Sequence, residues 1–186
     1  EHVDKDGFFW HIKYPIVGED GAYVEIATTR PETLLGDTAV AVNPDDARYT
    51  ALVGKMLKLP LTEREIPVIA DSYVDPEFGT GCVKITPAHD PNDFEIAKRH
   101  DLPIESIISP EGKMVNVPAQ FLGLTPIEAR ARVLEALEAL ELRRSETEIE
   151  HAVGHCYKCG SVIEPMIKEQ WFIKTQSLAQ PAIDAL

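Results

Sequence analysis

The sequence predicts a mixed α/β fold rich in β-strand, a barrel or folded sheet with a few helices around it. Two observations carry this: short strand-like segments recur between Pro, Gly and Asp punctuation, and only one segment keeps a long helical period. A third bounds the size. With 186 residues, 44% of them apolar, the chain can remove about 70% of its unfolded surface from water, so one domain over 1–186 is expected.

Residues 7–14 are aromatic and β-branched, residues 18–21 read Gly-Glu-Asp-Gly, and residues 22–27 return as a second strand, so a hairpin opens the fold. Further strands are expected over 38–42, 55–59, 66–70, 82–86, 104–108 and 114–117. The best helix runs over 125–142, where Thr125-Pro126-Ile127-Glu128 supplies a cap hydroxyl, an N1 proline and a capping-box glutamate. Ile127, Ala131, Leu134, Leu137 and Leu140 follow as its core face. A shorter helix starts at Pro91 and reaches His100, with Asp90 and Asp93 at the end where negative charge is favoured. A third follows Pro44 and stops at Gly54, and Glu146, Glu148 and Glu150 read as a solvated connector.

No apolar run approaches the roughly 20 residues of a membrane span, and the first six residues lack the features of a signal peptide. Three cysteines cannot pair completely, so a cytosolic, reduced protein with no membrane partner is expected. The net charge of −13 has the wrong sign for drawing in nucleic acid, and any RNA it handles must be held mostly by something else.

Three constellations could carry chemistry. Thr28-Thr29-Arg30-Pro31-Glu32-Thr33 is either a capping turn for a short helix or a polar lip offering donors to a phosphate, ribose or acyl oxygen. In the stretch from Phe78 through Gly79-Thr80-Gly81 to Asp93, period-two spacing sends Lys84 and Thr86 to one strand face. Those two residues with Asp90 and Asp93 form a polar pocket, a surface ion pair with a helix cap, or, with His89, a metal site. The third is Cys156-Tyr157-Lys158-Cys159, within a small knuckle over 151–165, which is half a zinc ribbon by spacing or a plain reduced turn. No Gly-x-Ser-x-Gly elbow or cysteine–histidine pair is apparent, so a hydrolase here would activate water by positioning it.

Together the two polar segments resemble the editing domain, connective peptide 1, of class I aminoacyl-tRNA synthetases, and the resemblance covers almost the whole chain. Thr28 to Thr33 is similar to that family's threonine-rich peptide, and Gly79 to Asp93 to its second signature, which ends in a shared aspartate. Arg-Pro-Glu-Thr at 30–33, Val-Lys-Ile-Thr-Pro-Ala-His-Asp-Pro-Asn-Asp at 83–93, His-Cys-Tyr-Lys-Cys-Gly at 155–160, Ile-Glu-Pro at 163–165 and Gln-Trp-Phe at 170–172 are similar to the bacterial, valine-specific branch. The resemblance implies an editing-domain β-barrel that hydrolyses mischarged threonyl-tRNA(Val) and threonyl-adenylate, without the aminoacylation signatures and without a required cofactor. It also implies site roles: Asp93 for the substrate ammonium, Lys84, Thr86 and Asp90 for the hydroxyl or the water, and Thr28, Thr29, Arg30 and Thr33 for nucleoside and acyl group. Phe78 becomes an apolar wall. Terminal strands 8–14 and 170–174 would form the ribbon to a parent catalytic domain, and Cys156 and Cys159 would hold zinc only with partners elsewhere. The implied partners are the acceptor end of tRNA(Val) and that parent domain, with the chain acting as a monomer. A non-catalytic RNA-binding or interaction module with a zinc knuckle is the competing class.

Overall fold

Side-chain alternation decides the first layer: Ile12 and Tyr14 alternate with His11 and Lys13, and Val24 and Ile26 with Tyr23 and Glu25, so two strands can bury one shared face. The computed structural model describes residues 2–184 and shows that pairing. The chain runs β1 (His2–Pro15), β2 (Tyr23–Thr28), a 3-10 helix (Pro31–Gly36), β3 (Ala39–Val42), β4 (Met56–Lys58), β5 (Glu65–Ala70) and β6 (Cys82–Ile85). It continues through α1 (Pro91–His100), α2 (Pro126–Ala139), β7 (Arg143–Gly154) and α3 (Thr175–Asp184).

Two sheets result. One is antiparallel in the order β2-β1-β7, and the other runs β4-β5-β3-β6, with β3 parallel to β5 and the remaining pairs antiparallel. The bridge between Ile16 and Leu57 links them at one corner, and β2 lies against β6. Among the described residues no closed ladder runs round the fold. Strand β3 reads Ala-Val-Ala-Val and is buried on both faces, as a central strand with parallel pairing requires. Val40 and Val42 enter the main core with Ile12, Leu34 and Phe121, while Ala39 and Ala41 meet Ile85 and Ile96 in a second, smaller one.

Helix α1 starts where the sequence indicates. Asp90 Oδ1 accepts the Asn92 and Asp93 amides at 2.8 and 3.2 Å, Pro91 fills the first position, and Asp101 at φ 52° ends the helix. Helix α2 carries the full capping box between Thr125 and Glu128. Its buried face, however, is Pro126, Ala129, Val133 and Leu137, whereas Ile127 and Leu140 stand in solvent. The four-residue spacing from Ala129 overrides the stripe expected from Ile127.

Four further expectations need correcting. Residues 104–108 and 114–117 form no strands: Ile107 and Ile108 are buried in succession, which a half-exposed strand cannot do, and a single bridge joins Ile108 to Met114. The helix expected after Pro44 shrinks to the 3-10 turn Thr50–Leu52. Glu146, Glu148 and Glu150 are exposed as expected, but they lie in β7, whose backbone is satisfied by β1 while its side chains stay in water. Residues 170–174 form no strand, because β7 takes the edge of β1 that they would have needed, and Trp171 and Phe172 are exposed.

Candidate active site

Two backbone devices set up the site. After β2 the Thr28 Oγ1 accepts the Arg30 amide at 3.1 Å, and Thr33 Oγ1 donates to the Arg30 carbonyl at 3.0 Å, which folds the threonine-rich segment into the 3-10 helix. The turn therefore forms, and side chains of the segment line a cavity. Before β6, Gly81 sits at φ +78°, the left-handed region that favours glycine, and a Cβ there would lie 3.0 Å from the Pro76 carbonyl oxygen, so glycine suits the turn this loop makes.

The cavity between these segments measures about 260 Å³. Thr28, Thr29, Arg30, Thr33 and Phe78 line one side, and Lys84, Thr86, Asp90 and Asp93 the other, so every pocket residue singled out in the sequence reaches it. Phe9 joins Phe78 edge-on at 5.5 Å between centroids to make the apolar wall.

The floor is a closed network. Lys84 Nζ donates to Thr33 Oγ1 at 2.8 Å, Thr86 Oγ1 at 2.5 Å and Asp37 Oδ1 at 3.1 Å, which uses all three ammonium protons. Thr86 Oγ1 in turn donates to Asp37 Oδ1 at 2.6 Å, and the Tyr14 hydroxyl donates to Asp37 Oδ2 at 2.7 Å. Asp37 is fully buried, and burial pushes its carboxyl up from the ordinary range against the pull of Lys84 and both hydroxyls. Tyr14, buried beside that carboxylate, is raised well above an ordinary phenol and stays neutral.

Asp37 has no motif spacing to Lys84 and was missed in the sequence. The antiparallel register that sets Val40 opposite Lys84 brings the two together, and the remaining signal was a lone aspartate just before an all-apolar strand.

Asp93 sits above this floor with Oδ2 accepting the Thr86 amide at 2.8 Å. Burial raises its pKa to about 7, with neighbouring Asp90 and Asp37 adding to the rise and Lys84 opposing it. Among the described residues Asp93 Oδ1 and Asp90 Oδ2 accept no hydrogen bond. The cavity therefore presents acceptor oxygens and has no unused proton on Lys84.

Other groups are structurally committed. His89 Nε2 accepts the Ile107 amide at 2.9 Å, which leaves the proton on Nδ1 to reach the Pro165 carbonyl at 3.1 Å, and burial lowers its pKa. Both nitrogens are engaged, so the metal site with Asp90 and Asp93 does not form. Burial pushes the Cys82 thiol up to about 11, which makes it inert as a nucleophile at neutral pH. On the rim, Arg30 donates to the His89 carbonyl at 3.3 Å and pairs with Glu164, while fully buried Glu32 takes a two-pronged contact from Arg130 at 2.8 and 2.9 Å.

At the knuckle, Cys156 and Cys159 close a turn through the Gly160 amide to the Cys156 carbonyl, and the Cys159 thiol is lowered by Ser161. Among the described residues no group of three His, Cys, Asp or Glu side chains is arranged to hold a metal ion. Two thiols alone do not complete a tetrahedral zinc site. No described helix is long and apolar enough to cross a membrane.

The chain is similar to known proteins. A family model described as the editing domain of leucyl-tRNA synthetase matches residues 50–134, from β4 through most of α2. Among solved structures, the chain is similar to the agnB2 LeuRS of Agrobacterium radiobacter K84 in a ternary complex with tRNA and LeuAMS, with a TM-score of 0.58 and 20% identity, covering 87% of this chain and 24% of that one. It is also similar to GlLeuRS-CP1, with a TM-score of 0.61 and 16% identity over 76% of this chain and 98% of that one. The fold is thus shared with leucyl-tRNA synthetase structures, one of them a CP1 domain.

Whole-chain sequence similarity narrows the class. The chain is 58% identical to valine–tRNA ligase of Clostridium perfringens and 54% identical to that of Treponema denticola, in each case over its full length. It covers 21% and 22% of those proteins, so the chain spans about a fifth of the curated relatives it matches. Over its whole length the chain is thus similar to one segment of valine–tRNA ligases, and within it residues 50–134 match the editing-domain model.

Proposed function

We propose that this domain hydrolyses the threonyl ester of mischarged tRNA(Val), and threonyl-adenylate, while sparing the valyl ester. The observation that carries the reading is the acceptor-lined floor. Every proton of Lys84 and the proton of Thr86 are committed inside the network, so what the floor itself leaves to a ligand is oxygen lone pairs. Such a surface suits a ligand that brings protons, namely an α-ammonium and a side-chain hydroxyl.

Valine and threonine are nearly isosteric, and for valine-specific enzymes the established discrimination by a hydrophobic pocket is only about 10², a general figure and not one derived from this structure. A second site must invert the test. Here a threonine hydroxyl donates to the remaining lone pair of Thr86 or Thr33, whereas a valine methyl in the same place strands buried polar atoms at roughly 1–3 kcal/mol each.

In this reading Asp93 Oδ1 takes the α-ammonium as a charge-assisted contact, and the ammonium favours the ionised carboxylate that burial otherwise resists. Asp90, held as the α1 cap, has its free oxygen available to orient water. Water adds to the ester carbonyl carbon, the ribose oxygen leaves with a proton, and free threonine departs. Phe9 and Phe78 shield one side of the adenosine, and Arg30 and Thr29 face its ribose and acyl oxygens. The domain needs no cofactor for this chemistry.

The parent synthetase supplies the basic surface that grips the tRNA body, which makes the domain's charge of −13 compatible with admitting only the acceptor end. The β1–β7 ribbon is the connection to that catalytic domain, and Cys156 and Cys159 hold zinc only where another part of the parent protein supplies the remaining ligands. The protein works as a cytoplasmic monomer. Asp93→Ala tests the site: it abolishes threonyl ester hydrolysis by the chain, and retained hydrolysis would remove Asp93 from the mechanism.

A further inference from the structure

We propose that Glu164, 134 residues after Arg30 in the chain, is a positioning residue of this pocket, holding the Arg30 guanidinium in place on the rim where the acyl-nucleoside enters. The inference rests on the editing reading above and deepens it.

Arg30 lines the cavity and is held on three sides. One terminal nitrogen donates to the His89 carbonyl at 3.3 Å, the other pairs with Glu164, and Nε lies 3.5 Å from Glu32. Glu32 is a poor anchor for it, because both of its oxygens already take the Arg130 guanidinium at 2.8 and 2.9 Å. The contact that fixes the far end of Arg30 is therefore Glu164.

The strap carrying Glu164 has no apolar reason to lie where it does. Glu164 and Pro165 are half-buried, while Ile163, Met166 and Ile167 on either side are exposed and join no core cluster. Its second attachment is also to a pocket residue, since His89 Nδ1 donates to the Pro165 carbonyl. The Ile163 amide also donates to the Gly154 carbonyl at 2.9 Å, where the strap leaves β7, and its next two attachments end on groups that shape the cavity. A long arginine without such a partner samples many rotamers, and a ligand must then order it on binding. One that is already held offers its remaining N–H groups in a fixed direction.

The test is a double-mutant cycle on the full chain with a probe that cannot be hydrolysed, 3′-(L-threonylamino)-3′-deoxyadenosine, measured by calorimetry. Arg30→Ala and Glu164→Ala each weaken binding about tenfold, and the double variant binds no more weakly than Arg30→Ala alone. Glu164→Gln, which keeps an acceptor in place, recovers part of the loss. On threonyl-tRNA(Val), Glu164→Ala raises KM with kcat unchanged, a split that general loosening of the fold would not give. If Glu164→Ala binds the probe as well as the unsubstituted chain, or if the two losses multiply in the double variant, the positioning role is overturned and the editing reading stands. If the unsubstituted chain neither binds the probe nor hydrolyses the ester, the editing reading itself falls and takes this inference with it.

Discussion

The floor and the rim of the pocket are both built from alternating charges, yet they differ in depth. On the floor, Lys84 and Asp37 come from paired parts of one sheet, their side chains 11% and 0% exposed. On the rim, Arg30 and Glu164 are 30% and 28% exposed and come from elements far apart in the chain. A buried pair cannot lose one member without leaving an uncompensated charge, whereas an exposed pair contributes about 0–1 kcal/mol to folding. Burial makes the floor a permanent part of the fold, and exposure makes the rim a device for orientation.

The sharpest way to break this contrast is Lys84→Met. It strands the Asp37 carboxylate, and we expect a loss of about 3–5 kcal/mol in urea unfolding at pH 8 together with loss of threonyl ester hydrolysis. Lys84 is among the groups holding the Asp37 pKa down, so without it the carboxyl protonates more readily and the loss shrinks as pH falls. Lys84→Met with Asp37→Asn recovers much of the stability and none of the activity. An equal loss at pH 5 and pH 8 would show that packing, and not charge, explains the effect.

Asp93→Asn gives a smaller change of opposite sign. The folded-state pKa of about 7 lies above the unfolded value of 3.8, so the native state binds the extra proton between those limits and stability falls as pH rises through them. The neutral amide escapes this. Thermal unfolding should show the variant unchanged at pH 4 and more stable at pH 8, by roughly 2–4 °C for each kcal/mol relieved, while hydrolysis is lost. A variant less stable at pH 8 would contradict the buried, strained carboxylate. At the bottom of the scale, Glu164→Ala leaves unfolding within about 1 kcal/mol of the unsubstituted chain and shows itself in substrate binding.

Floor and rim were also unequally legible in the sequence. Period-two spacing placed Lys84 and Thr86 on one face, and Asp90-Pro91 announced a helix start, because both are local effects of strand and cap geometry. Asp37 carries no local signal, and Glu164 stands out only within the Ile163-Glu164-Pro165 segment of the resemblance, since the partners of both arrive through strand register and through a strap without regular structure. The same divide explains the fold. Strands with one buried face are legible, while β7 reads as a connector because Glu146, Glu148 and Glu150 stand in water on one face, Ser145 and Thr147 are exposed on the other, and only pairing with β1 makes it a strand.

The most direct measurement is the initial rate at which this chain hydrolyses threonyl-tRNA(Val) and valyl-tRNA(Val) side by side at equal concentration. An acceptor-lined floor predicts that the threonyl ester is cleaved faster by about 5- to 150-fold, the ratio expected from one stranded polar group at roughly 1–3 kcal/mol. Equal rates, or faster cleavage of the valyl ester, would contradict the claim that this floor reads the hydroxyl.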